Sequence, residues 1–132
     1  MVVEDDEAVA AVSCRVVTRQ GRFRVVGRAA TYTEAIRLIS TAKPDLVLLD
    51  LGLPGRNGVD LLRLIRSESA KIEVIVVTAH STPGVVRVCS QLGAVDYLVK
   101  PFWPERLVAA LEAFGGRATS LGGQRALDQQ TV

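Results

Sequence analysis

The most constraining stretch of the chain is Leu46-Val47-Leu48-Leu49, a continuous apolar run that stops on Asp50 and gives way to Leu51-Gly52-Leu53-Pro54-Gly55-Arg56-Asn57-Gly58. Four apolar residues between Pro44-Asp45 and a Gly/Pro-rich loop are too short for a buried helix and lack the polar alternation of a half-exposed strand. They fit a strand covered on both faces, the situation of parallel sheets flanked by helices. Other short β-branched runs follow the same plan: Val2-Val3, Phe23 to Gly27, Val74 to Val77 and Tyr97-Leu98-Val99. Amphipathic stretches separate them, so the chain predicts βα repeats around a parallel sheet.

The helices carry their own start and stop signals. The first is predicted over Glu7 to Arg19, with Val9, Val12 and Val16 inward and Gly21 as the stop. Thr31-Tyr32-Thr33-Glu34 reads as a capping box, in which the Thr side chain caps and Glu34 reaches back. The helix behind it turns Ala35, Ile36, Leu38 and Ile39 inward and ends near Ala42-Lys43-Pro44. Leu61, Leu62, Leu64 and Ile65 mark a third, Pro83 to Leu92 a fourth stopped by Gly93, and Pro104 opens a fifth that runs to Phe114. After Gly115-Gly116 the chain turns polar and holds a second pair, Gly122-Gly123. The expected division is one domain over residues 1–114 and a linker over 115–132.

Composition narrows the function classes. At 48% hydrophobic, 23% charged and net charge +2, the 132 residues can bury a core, and disorder is excluded as the main state. The apolar runs fall well short of the roughly 20 residues a membrane span needs. Glu4, Asp5, Asp6 and Glu7 occupy the place of a secretory leader's apolar region, so the expected compartment is the cytoplasm, with no membrane partner. Basic residues cluster at Arg15, Arg19, Arg22, Arg24 and Arg28, but aromatics make up only 5%. A solvated helix face followed by an edge strand explains that cluster without nucleic acid. Cys14 and Cys89 have no ligand-like spacing and read as free thiols.

In an open parallel sheet, ligands bind outside the carboxyl ends of the strands. Those ends carry Glu4-Asp5-Asp6, Asp50, Thr78 and Lys100-Pro101. Any one of them alone is an ordinary loop residue. Together they need a reason, because packed carboxylates repel unless a cation neutralises them. Oxygen ligands with room for water suit Mg²⁺. A cation plus Lys100 would stabilise an anion brought to Asp50, with Thr78 donating a hydrogen bond to it. A phosphoryl group fits, Asp50 being the nucleophile that forms an acyl phosphate.

These residues also carry a family likeness. Val2-Val3-Glu4-Asp5-Asp6, the run Leu46 to Pro54, Asn57-Gly58, Val77-Thr78-Ala79 and Asp96-Tyr97-Leu98-Val99-Lys100-Pro101-Phe102 stand in the order of the bacterial two-component receiver domain. Over residues 1–114 the sequence resembles that family. The stretch from Val95 to Phe102, with Glu105-Arg106-Leu107, resembles its citrate/malate (C4-dicarboxylate) regulator branch. The resemblance implies a flavodoxin-like doubly wound α/β fold, a five-stranded parallel sheet of order 2-1-3-4-5 with five helices. It implies that Asp50 accepts a phosphoryl group from a sensor histidine kinase, slow self-dephosphorylation being the only turnover. Asp5, Asp50 and the Gly52 backbone oxygen are then Mg²⁺ ligands, Glu4 acts through water, and Asp6 is a lesser candidate. Thr78 and Lys100 contact the phosphoryl oxygens, Tyr97 is the switch aromatic, and Lys100-Pro101 is a cis peptide. Dimerisation uses the fourth helix, fifth strand and fifth helix.

Three positions depart from the pattern. Only three residues precede Glu4, so the first strand is expected to be clipped or to begin upstream of this chain. Gly52 is smaller, and His80 different, from what the family usually carries beside the attacking-water path; Gly52 is expected to admit water and His80 to shield or orient it. Two rival readings remain. One is a stand-alone receiver that acts by docking. The other is an aspartate-nucleophile phosphohydrolase, disfavoured because Gly52 stands where a second Asp would serve as general acid. The segment from Leu127-Asp128 resembles the lead-in to a helix-turn-helix output domain, which would supply all contact with DNA.

Overall fold

The computed structural model describes residues 1–69, 71–79 and 82–121. The elements run β1 (Val2–Val3), α1 (Glu7–Arg19), β2 (Arg28–Ala29), α2 (Tyr32–Ala42), β3 (Leu46–Asp50), α3 (Gly58–Glu68), β4 (Glu73–Thr78), α4 (Pro83–Gln91), β5 (Asp96–Val99) and α5 (Pro104–Leu121). The strands form one sheet of order β2-β1-β3-β4-β5. Every pairing is parallel, with Val3 facing Leu49, Leu48 facing Ile75 and Val76 facing Tyr97. The doubly wound fold read from the sequence is therefore the observed one.

Side chains alternating along each strand feed two apolar layers. Val3, Val47, Leu49, Val74 and Val76 face one side with Leu61, Leu62, Ile65 and Cys89. Val2, Leu48, Ile75 and Leu98 face the other with Val16, Leu107 and Leu111. Each fully buried leucine contributes about 1.5–3 kcal/mol relative to an exposed one. Cys14 and Cys89 belong to opposite layers and both are free thiols, as the topology required.

Four local expectations are corrected. The second strand is not Phe23 to Gly27 but Arg28–Ala29, because β1 pairs only through Val2 with Arg28 and Val3 with Ala29. The Gly27 carbonyl still accepts from the Val2 N–H at 3.1 Å, and the residues before it have no ladder partner in β1. In α1 the inward stripe is Ala10, Ser13, Val16 and Val17, whereas Val12 is 38% exposed. In α2, Ile36 is exposed to the same extent. Finally α5 does not stop at Phe114 but continues through Gly115-Gly116 to Leu121. Glycine weakens a helix interior by about 1 kcal/mol, and the helix nevertheless runs through both; a Cβ on Gly115 would lie 3.0 Å from Arg22 Nη1, the movable end of an exposed side chain. The rest of the segment expected as a linker, with Gly122-Gly123 and Leu127-Asp128, lies outside the described residues.

Arg66 in the last turn of α3 ties three segments together. Its Nε donates to the Leu92 carbonyl at 2.6 Å, and its other nitrogens donate to the carbonyls of Ile72 and Gly93. It thereby satisfies acceptors left open where α4 ends.

Candidate functional site

Four strand ends deliver the site. β1 leads into Glu4, whose N–H donates to the Ala29 carbonyl at 2.9 Å and so holds the β1–α1 turn against β2. Asp50 is the last residue of β3 and Thr78 the last of β4, both buried. Lys100 follows β5, and its N–H donates to the Thr78 carbonyl at 2.8 Å. The Lys100-Pro101 peptide is cis.

The structure brings Glu4, Asp5, Asp50 and Lys100 together. Carboxylate oxygens of the three acids all lie within 4.8 Å of one another. Lys100 Nζ stands 2.5 Å from Glu4 Oε1 and 3.2 Å from Asp50 Oδ2. The Gly52 N–H donates to Asp50 Oδ1 at 2.9 Å, fixing the carboxylate's other oxygen. Asp6 stands apart from this set: its carboxylate caps α1, accepting from the N–H groups of Ala8 and Val9 at 2.9 and 3.1 Å. Thr78 sits fully buried one strand away, and Tyr97 on β5 is half-buried against the layer that holds Cys89. His80 lies outside the described residues.

The two buried carboxyls divide their roles. Burial pushes Glu4 up; Lys100 opposes this and the neighbouring Asp50 adds to it, and the result is about 7. Burial pushes Asp50 up as well, but the hydrogen bonds from Glu4, from the Gly52 N–H and from Lys100 outweigh it and hold Asp50 below its ordinary range. Burial lowers Lys100, and the two carboxylates more than reverse that. The two carboxyls titrate as a pair, Glu4 shifted up and Asp50 down. Three carboxylates face one ammonium. An all-oxygen donor set with a charge deficit fits a hard divalent cation.

The loop after Asp50 is held by contacts that sequence reasoning missed. Gly58 begins α3 pressed against Leu51: its N–H donates to the Leu51 carbonyl at 3.0 Å, and a Cβ there would lie 2.4 Å from Leu51 Cα. Asn57 caps α3 by accepting from the Val59 N–H. Arg56 stacks over the Tyr32 ring at 4.1 Å, joining the loop to the start of α2. The Asn57-Gly58 pair was visible as a motif, but only the fold shows that a backbone crossing demands the glycine. Nothing in the sequence marks the Arg56–Tyr32 contact. A groove of about 300 Å³ opens beside Lys100, lined by Val9, Val12, Pro101, Phe102 and Pro104. Trp103, at the same turn, is 80% exposed.

The parallel sheet carries an aspartate, a hydroxyl and an ammonium at adjoining strand ends, and comparison with known proteins gives the class of protein that bears them. The family model for the response regulator receiver domain matches residues 1–112. The chain belongs to that family. It is 33% identical over 132 residues to the transcriptional regulatory protein MalR of Bacillus subtilis, covering all of this chain and 56% of that protein. It is 38% identical over 114 residues to the probable C4-dicarboxylate response regulator DctR of Priestia megaterium, covering 86% of this chain and 50% of that protein. The DNA-binding response regulator MtrA of Mycobacterium tuberculosis matches at 38% over 114 residues, 86% of this chain and 48% of that one. The chain therefore spans about half the length of the curated relatives it matches. Among solved structures, the CheY-like receiver domain protein of Methanospirillum hungatei superimposes with a TM-score of 0.83 at 25% identity, over 92% of this chain and 95% of that one. The match to receivers, and to regulators of the C4-dicarboxylate group, accords with the likeness read from the motifs. No helix among the described residues is long and apolar enough to cross a membrane.

Proposed function

We propose that Asp50 is the phosphoacceptor of this receiver and takes its phosphoryl group from the phosphohistidine of a sensor histidine kinase. The observation that carries this reading is the state of Asp50: a buried carboxylate kept anionic by Lys100 and the Gly52 N–H. A lowered pKa keeps the attacking oxygen ionised at neutral pH. One Asp50 oxygen bonds to phosphorus, the P–N bond breaks, and its electron pair remains on the donor imidazole. Asp5, Asp50 and the Gly52 carbonyl oxygen would hold Mg²⁺ directly, and Glu4 through water. When bound, the ion neutralises charge on the phosphoryl oxygens. Lys100 transfers one of its hydrogen bonds from Asp50 to the phosphoryl group, and the Thr78 hydroxyl donates to another phosphoryl oxygen.

The switch follows from Thr78 moving toward the phosphoryl group, which lets Tyr97 turn inward and repacks α4, β5 and α5. Val86 on α4 and Val99 on β5 are already exposed there, which suits pairing with a second receiver. Shifting the population from 1:99 to 99:1 takes about 5.5 kcal/mol, within reach of a few charge-assisted bonds. The kinase must reach Asp50, and the apolar groove beside Lys100, with Trp103 at its turn, is the surface we assign to it. Residues 122–132 lead, in this reading, to a helix-turn-helix output domain that binds DNA in the cytoplasm, and the chain is a switch rather than a turnover enzyme.

Incubation with acetyl phosphate and Mg²⁺ is expected to add one phosphoryl group to the wild-type chain and none to Asp50→Asn. Retained labelling in that variant overturns the assignment. Phosphoryl lifetime in His80→Ala tests the tuning role of His80, and an unchanged lifetime removes it. Hydrolysis of a generic phosphate ester at steady turnover would favour the phosphohydrolase instead.

A further inference from the structure

Away from the site, one charge pattern is left unused by phosphoryl transfer. Residues 8–33 hold five arginines, Arg15, Arg19, Arg22, Arg24 and Arg28, and no aspartate or glutamate, so this stretch alone carries +5 where the whole chain carries +2. All five are exposed. Among the described residues none of them makes an ion pair. Arg15 and Arg19 lie one turn apart on α1, where like charges repel. With Arg28 on the edge strand they line an open cavity of about 420 Å³ whose wall includes Cys14, Thr18 and Val25.

In place of the expectation that an output domain supplies all contact with DNA, we propose that this arginine end of α1 and β2 is a sequence-independent contact surface for the phosphate backbone of duplex DNA. Arg15, Arg19 and Arg28 border one open cavity, and exposed guanidinium groups supply the charge and the N–H donors that phosphate oxygens accept from. Backbone contacts need no aromatic interleaving, which serves single strands. The surface is too charged for the centre of a protein interface, where charged residues are depleted, whereas DNA interfaces are strongly positive.

Position argues the same way. The Phe23 ring lies 5.9 Å from that of Phe114, and Gly115 packs against Arg22, so the arginine end flanks the later turns of α5. In the output-domain reading a DNA-binding segment follows this chain, and to that extent the proposal rests on that reading. α1 has 13 residues, which at 1.5 Å each puts its arginine end roughly 20 Å from the carboxylates, about two Debye lengths at 0.1 M salt. The charge added at Asp50 is therefore felt only weakly at the arginine surface.

The test is fluorescence anisotropy of a labelled short duplex of arbitrary sequence, titrated with the 132-residue chain at stepped KCl concentrations. Binding is expected to weaken steeply with salt. The combined variant Arg15→Gln/Arg19→Gln/Arg28→Gln is expected to bind at least ~10-fold more weakly, with the log–log salt slope reduced by about 0.9 for each phosphate that is no longer neutralised. Arg63→Gln/Arg87→Gln, exposed on α3 and α4, is expected to match wild type. The proposal is overturned if wild type does not bind at the lowest salt, or if the α3/α4 variant is weakened as much as the triple variant. It is equally overturned if a polyglutamate peptide competes as well as DNA per charge, which would point to an acidic protein surface. Labelling of Asp50 by acetyl phosphate is scored on the same samples, so that failure of DNA binding and failure of the phosphoacceptor reading are told apart.

Discussion

The two ends of α1 pose opposite electrostatic problems. At its N-terminal end Glu4, Asp5 and Asp50 converge, and two of the three are buried, so each lost hydration has to be replaced by a partner. Lys100 supplies one charge and the Gly52 N–H one hydrogen bond, and burial, with Asp50 adding to it against Lys100, drives Glu4 up to about 7. At the other end five arginines stay in water without ion-pair partners among the described residues. Desolvated charge is tightly coupled to whatever binds beside it. Hydrated charge acts over a Debye length and answers mainly to polyanions and salt.

The contrast requires a rigid carboxylate end, and Gly58 is where rigidity can be broken hardest. A Cβ at 2.4 Å from Leu51 Cα forces backbone apart, and the helix-propensity gain of alanine, about 1 kcal/mol, does not offset that. Gly58→Ala is expected to lose about 3 kcal/mol in urea unfolding. Gly52→Ala is the control within the same loop: its Cβ would meet Asp50 Oδ1 at 3.5 Å, an ordinary contact. It should stay within about 0.5 kcal/mol of wild type. Equal losses would mean the loop is not pinned at its α3 end.

The next effect is the pH dependence of the metal-free protein. Glu4 titrates at about 7 when folded against a model value of 4.5. Between those values the folded state keeps a proton that the unfolded state has released, so stability falls as pH rises through this window. The fall should total about 1–3 kcal/mol. Asp50 has the opposite sign: its lowered pKa stabilises the fold above the ordinary carboxylate range, and that stability is lost as pH falls below it. Chelator-treated protein is thus expected to be most stable in mildly acidic buffer, and Glu4→Gln to flatten the slope toward neutrality. Mg²⁺ binds the ionised carboxylates. Added at a hundredfold excess over its dissociation constant, it should restore about 2.7 kcal/mol near neutrality, and progressively less as the pH is lowered. A slope that survives Glu4→Gln would place the proton elsewhere.

Most of this architecture was legible because it depends on local pattern. The limits of α1, the apolar β3 ending on Asp50, the Thr31 cap of α2 and the ordering of strand-end residues all follow from periodicity and turn chemistry. What stayed hidden depends on partners distant in sequence. β2 is set by the two residues that β1 offers it, so its own β-branched run misled. The inward face of α1 is set by which sheet face it covers, and small Ala10 and Ser13 fill it rather than Val12. Glycines weaken helices in isolation, yet α5 continues through Gly115-Gly116 to Leu121. In the site, the identities of Glu4, Asp50 and Lys100 were readable, whereas the opposite shifts of the two carboxyls depend on burial and on the Gly52 N–H, which only the fold shows. Asp6 was already the lesser candidate, and the cap of α1 accounts for it.

Between the two extremes stands the Asp96–Arg106 pair, which joins β5 to α5 at 2.7 Å and is partly exposed. Arg106 and the Tyr97 N–H hold Asp96 below its ordinary range against a smaller upward push from burial. Its stabilisation is therefore present above the unfolded carboxylate pKa and lost as pH falls through the lowered one. Water screens the pair, so Arg106→Ala should lose only about 0.2–1 kcal/mol at neutral pH, and nothing relative to wild type once Asp96 is protonated. A loss that persists in acid would mean that the arginine stem, rather than its charge, supports α5.

The smallest effect belongs to the arginine end. Arg15→Ala is expected to change stability by less than about 0.5 kcal/mol. Arg15→Ala/Arg19→Ala should stabilise slightly at low salt, because it removes a like-charged pair one turn apart. That gain should fade as salt shortens the Debye length, the reverse of Arg106→Ala, whose loss shrinks with salt. The sign of the salt effect therefore distinguishes repelling from paired charge, even where both changes are near the limit of a urea melt. A salt-independent loss above about 1 kcal/mol would show instead that the side-chain stems pack into the cavity beside Cys14 and Val25. The arginine end would then be part of the core's edge, and the contrast with the carboxylate end would be one of packing rather than of hydration.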